Sequence, residues 1–141
     1  MKTKEMELKV SKELALEEVE KWLSFKKVDQ DEIEDIDSSK NNLANAIMRG
    51  HLILDKSHNL VHTLKFPILD EDGKPALSVL TYKPRLMMQE IEQKTQSINM
   101  KNTFELLRAY VAALTGVNSG LIKKLDTSDH KISQTIALFF L

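Results

Sequence analysis

The side chains best suited to chemistry are three histidines set close together, His51, His58 and His62. Three imidazoles can in principle hold a metal ion. His58 and His62 are four apart, a ligand spacing on a helix, but here the spacing spans a turn and the start of a strand. They read as polar histidines on the solvent face of a hairpin, and no metal site is assigned. His130 falls just inside a final helix and is expected to be exposed. The acids Asp29, Asp31, Glu32, Glu34, Asp35 and Asp37 form a second cluster. A calcium loop needs glycine at its sixth position and glutamate at its twelfth. Counted from Asp29 those positions are Glu34 and Lys40, so the segment reads as a solvated linker or frayed turn. Asp70, Glu71 and Asp72 sit in an Asp-Gly turn, another solvated place. Solvated carboxylates keep ordinary pKa values and make poor general acids at neutral pH. No phosphate-binding glycine loop, dinucleotide fingerprint or Gly-x-Ser-x-Gly elbow occurs. No catalytic residue and no cofactor is assigned, and the chain reads as non-enzymatic.

Composition narrows the class further. The chain has 141 residues, enough for one domain with a real core. Its net charge of −1 gives no overall pull toward nucleic acid. It has no cysteine, which excludes a disulfide scaffold, a thiolate metal site and cysteine catalysis. Met1 to Val10 has no apolar core of signal-peptide type, and no run approaches the roughly 18 apolar residues of a membrane span. The expectation is a cytoplasmic protein that does not enter a membrane.

The elements that must position these side chains are organised around one helix. Phe104, Leu107, Val111 and Leu114 share a face at helical spacing, and Leu106, Tyr110 and Ala113 extend the apolar surface around it. Residues 103–115 are therefore the expected core helix, capped by Asn102 or Thr103 and stopped by Thr115-Gly116. Ser11 is the expected cap of a helix over 12–27 with an Ala15, Val19, Trp22, Leu23 stripe. It reads as a surface helix docked by one face, although a basic, Trp-bearing helix can also lie on a membrane or grip a partner. A second, asparagine-rich helix is expected over 39–49, ending at Gly50.

The period then changes. His51 to Asp55 is a short apolar run. Leu60, His62, Leu64 and Phe66 alternate with Val61, Thr63 and Lys65, and Pro67 should limit that strand. The Asp70-Glu-Asp-Gly-Lys74 turn leads to a strand over 76–82. Pro84 is well placed to open a helix over 84–95. Its Met87, Met88 and Ile91 read as core filler or as an adaptable binding face. A last helix carries Ile132, Ile136, Phe139 and Phe140 on one face and runs into Leu141. A stretch reading Leu-Phe-Phe-Leu is either packed down or sticky. The fold class is α+β: an antiparallel meander of two to three strands within 51–82, helices of 84–141 packed on one face, and a helical extension over 1–50. That extension either completes the helical layer or mediates self-association.

The second half carries a family resemblance. It lies in the order Leu64-Lys-Phe-Pro67, the Asp70 to Lys74 turn, Leu77 through Pro84, Leu114-Thr115-Gly116, Leu125-Asp126, Asp129 and a final apolar helix. Over residues 64–141 this order resembles the small tail-assembly chaperones of contractile-tailed phages, the E-type and Mu-like tail proteins. Two features depart from that pattern. Val117-Asn118-Ser119-Gly120 stands where prolines are common, and His130 where an aromatic usually follows the Asp. The resemblance implies a non-enzymatic chaperone, phage- or prophage-encoded. It would bind the tape-measure protein in the host cytoplasm, keep its long helices soluble and help recruit tail tube protein. A long amphipathic helix would be bound in a groove. The apolar candidates for that groove are Phe139, Phe140 and Leu141, then Met87, Met88 and Ile91, then the Trp22 stripe. The alternatives are a structural component or adaptor of a tail or contractile injection machine, and a small metal-binding or regulatory module built on His51, His58 and His62.

Overall fold

The computed structural model describes residues 10–141 apart from Ser97 and Met100. The expectation for the charged stretch preceding Val10 lies outside the described residues. The elements run α1 (Lys12–Lys26), a 3-10 turn (Gln30–Glu32), α2 (Ile36–Met48), β1 (Leu52–Leu54), β2 (Leu60–Leu69), β3 (Pro75–Tyr82), α3 (Met88–Thr95), α4 (Thr103–Thr115), α5 (Ser119–Ile122) and α6 (Thr127–Leu138). The class is α+β, with a three-stranded antiparallel sheet in the order β1-β2-β3.

The helix ends follow from local chemistry. Ser11 holds an extended backbone, and its side chain accepts the Leu14 N–H at 3.2 Å. Asn102 does the same for Glu105 at 3.2 Å at the start of α4. α2 ends in a double closure: Gly50 N–H reaches Ile47 O at 3.0 Å and His51 N–H reaches Ala46 O at 2.9 Å. This needs Gly50 at φ 79, a left-handed value that costs glycine nothing. α2 begins at Ile36, earlier than the expected 39, because Asp35 takes φ 54 and turns the chain into the helix. α3 begins at Met88 and not at Pro84. Residue Met87 stays extended, and the Glu90 carboxylate accepts its N–H at 3.1 Å while pairing with Lys83.

α2, α4 and α6 lie against β1, β3 and β2 respectively, with α1 on α2 and α3 on α4. Ala15, Val19, Trp22 and Leu23 are all buried, so the α1 stripe belongs to the core. Trp22 meets Phe139 edge to face at 5.3 Å and Phe140 at 6.1 Å, which ties α1 to the residues after α6. Along α4 burial begins at Leu107 and includes Val111, Ala112 and Leu114. Phe104, expected on that face, is 68% exposed, because it sits in the first turn ahead of the covered part.

β2 departs from simple alternation. Its register with β3 holds from Leu60↔Tyr82 to Thr63↔Val79 and resumes at Ile68↔Leu77. Four residues of β2, Leu64 to Pro67, therefore stand opposite Ser78 alone. Pro67 has no N–H to give a ladder, so a break here is chemically natural. The strand does not stop at Pro67 as expected but bulges and continues to Leu69. The break also turns Phe66 outward, while Leu60, His62, Leu64 and Ile68 are buried.

Candidate functional site

Two of the apolar stretches singled out in the sequence converge in space. The segment Pro84–Met87, the start of α3, Tyr110 of α4 and the Phe139–Phe140 pair line one groove of about 310 Å³. Phe139 is buried at its base against Trp22, and Ile91 is buried beneath α3. Met87 and Met88 are 60% and 73% exposed. The core-filler reading of that methionine pair is thus corrected: α3 starts late, leaving Met87 before the helix and Met88 on its outer side. Leu141 is exposed and does not line the groove. Of the terminal residues, Phe139 is core and Phe140 is half-buried at the groove wall.

Two cations edge this apolar surface. The Lys26 ammonium lies 3.4 Å from the Phe140 ring centroid and 5.7 Å from that of Trp22. Partial burial, with the nearby Arg85 charge second, brings its pKa down to about 8. Among the described residues no carboxylate pairs with it. Arg85 is exposed and reaches over Phe25 at 5.9 Å, and Phe25 stacks on His58 at 3.9 Å. The surface is therefore apolar at its floor and positive at its edge.

The histidines do not come together. His51 lines a different cavity, His58 sits at φ 65 in the turn before β2, and His62 is wholly buried. The expectation of a solvent-facing His62 is corrected. It lies in phase with Leu60 and Leu64, so the same alternation that marks the strand's inner face includes it. Among the described residues no three His, Asp or Glu side chains are placed to share a metal ion. His130 is half-buried, and that burial, with Arg108 nearby, lowers its pKa.

His62 belongs to a polar group inside the core that local patterns did not reveal. Asp129, in the first turn of α6, accepts the Lys65 N–H at 2.9 Å and the Phe66 N–H at 3.1 Å. These are donors that the broken ladder at Pro67 leaves over. His62 Nε2 stands 3.6 Å from Asp129 Oδ1, too far for a good hydrogen bond. Tyr82 and Ser133 bond to each other through their hydroxyls. Ser, His and Asp side chains are thus neighbours, but Ser133 is engaged by Tyr82 and all four residues are sealed from solvent. The arrangement braces the bulge and presents no atom to a substrate. Burial lowers the His62 pKa to about 4 despite the opposing Asp129 charge, so the ring is neutral at pH 7. Burial also raises the Tyr82 pKa far above its usual value. The sequence signal for Asp129 was its place three residues after the helix cap Asp126. Its partners lie more than sixty residues away.

No family model, curated protein or solved structure matches this chain. No helix among the described residues is long and apolar enough to cross a membrane.

Proposed function

We propose that this protein is a non-enzymatic tail-assembly chaperone, phage- or prophage-encoded, that binds a tape-measure protein in the host cytoplasm and aids assembly of the tail tube. The observation that carries this reading is the groove uniting Met87, Met88 and Phe140 over a floor of Ile91 and Phe139. A methionine-lined apolar surface repacks around varied side chains, as a chaperone of a long, repetitive helix requires. Lys26 and Arg85 at its edge suit an amphipathic helix that sets an acidic residue beside its apolar face. The resemblance of residues 64–141 supports the same reading. Two of its parts, Leu64 to Pro67 and Asp129, meet at the β2 bulge.

The test is co-expression with the tape-measure protein of the same gene cluster, followed by pull-down and size-exclusion chromatography. The expected result is a soluble complex, weakened by about tenfold or more in Met88→Glu or Arg85→Glu, with folding unchanged. Phe139 is buried, so substituting it would test folding and not binding. A tape-measure protein that stays insoluble and unbound would overturn the reading. Recovery of this chain in purified particles would favour a structural component or adaptor of the tail or injection machine.

A further inference from the structure

A second cavity, of about 450 Å³ between α2 and α6, shares no residue with the groove and has a different chemistry. Each of three elements gives it one exposed cation: Arg49 after α2, Lys65 from β2 and Lys131 from α6. His51 and Asn45 add groups able to donate hydrogen bonds, and among the described residues no Asp or Glu lines it.

Two nearby carboxylates are already hydrogen-bonded within the fold, although Asp129 reaches His51 and Asp126 reaches Lys65 through their charge. Asp129 lies beneath and holds the Lys65 and Phe66 N–H groups. Asp126 caps α6 through the N–H and hydroxyl of Ser128. Among the described residues none of the three cations forms a salt bridge. Burial lowers the pKa of His51. Lys65 and Arg49 lower it further, and Asp129 opposes them, so the imidazole senses a positive surrounding. Like charges gathered around one cavity without a salt bridge repel one another, and a multiply charged anion relieves that repulsion.

We infer that this cavity binds a small dianionic oxyanion of the phosphate type, free or as a phosphate monoester. Arg49, Lys65 and Lys131 supply the countercharge, and Asn45 supplies a neutral donor. The volume exceeds what a phosphate group alone needs, so the body of a small ester also fits. This site does not depend on the chaperone reading.

The experiment is an NMR titration of the full chain, at fixed ionic strength, with inorganic phosphate and separately with glycerol phosphate. Saturable shifts are expected at the amides of Arg49, His51, Lys65 and Lys131. The His51 ring should titrate at higher pH when the site is filled. The double variant Lys65→Ala, Lys131→Ala, both exposed positions, should bind about tenfold more weakly or worse at an unchanged melting temperature. If that variant does not fold, Arg49→Gln serves in its place and should weaken binding in the same direction. Tighter binding of the ester assigns the site to phosphorylated small molecules, and equal binding assigns it to free phosphate. Shifts that grow linearly and are reproduced by sodium chloride would overturn the inference. So would an affinity that none of the variants changes.

Discussion

Asp129 and Lys26 are both charged side chains drawn away from water, and the fold treats them in opposite ways. Asp129 is wholly buried and receives two backbone N–H groups. Lys26 is half-buried and receives only the faces of Phe140 and Trp22. The first is complete within the chain and holds the sheet together. The second has lost hydration without gaining an ion pair among the described residues, and under the proposed function an acidic partner would supply that pair. A satisfied buried charge marks architecture, and one left without an ion pair at the edge of an apolar groove is what the proposed docking reading rests on.

The largest test of this contrast is Asp129→Ala. It leaves the Lys65 and Phe66 N–H groups unpaired inside the bulge and should cost about 3 kcal/mol or more, read as a lower urea midpoint. Asp129→Asn keeps one acceptor oxygen and should lose roughly half as much.

The pH dependence of the same region follows from His62. Its folded pKa, about 4, lies below the ordinary 6.5, so the unfolded state binds more protons between those values. The stability due to keeping it neutral is fully present above pH 6.5 and is lost as pH falls toward 4, by up to about 3 kcal/mol. His62→Leu should flatten that slope in urea midpoints measured from pH 7 to pH 4.

A smaller effect is expected at Lys26. Its folded pKa of about 8 lies below 10.5, so the protein should gain stability as pH rises from 8 to 10.5. Solvent screening at this half-exposed site keeps the gain near 1 kcal/mol or less. Lys26→Met should remove it. Binding an acidic partner should return the Lys26 pKa toward its ordinary value, and heteronuclear NMR of the ammonium would show this. The smallest effect belongs to Phe104→Ser, within about 0.5 kcal/mol by thermal melting, because the ring is mostly exposed.

What the chain made legible is what local pattern controls. The caps at Ser11 and Asn102, the glycine stop at Gly116 and the α1 stripe all rest on neighbours a few residues apart. The three strands and the α+β class rest on a change of period that needs no distant contact. The misses in β2 have two causes. His62 turns inward with the alternation of Leu60 and Leu64, whereas Phe66 turns outward and β2 continues past Pro67 at a break braced by a carboxylate in α6. No window around Phe66 contains that information. For the groove, its apolar residues were visible, but their meeting was not. Phe139 and Phe140 reach Met87 only because α3 and α6 both flank α4, a tertiary fact.

The bulge of β2 also sets an order of events. Lys65 and Phe66 come into existence long before Asp129, and until α6 docks their N–H groups have only water to bind. The hairpin of β2 and β3 should therefore close first beside its turn, at Leu69↔Pro75 and Ile68↔Leu77, where pairing is most local. Leu64 to Pro67 take their final path only when the carboxylate arrives, so that late contact resists unfolding more than it speeds folding.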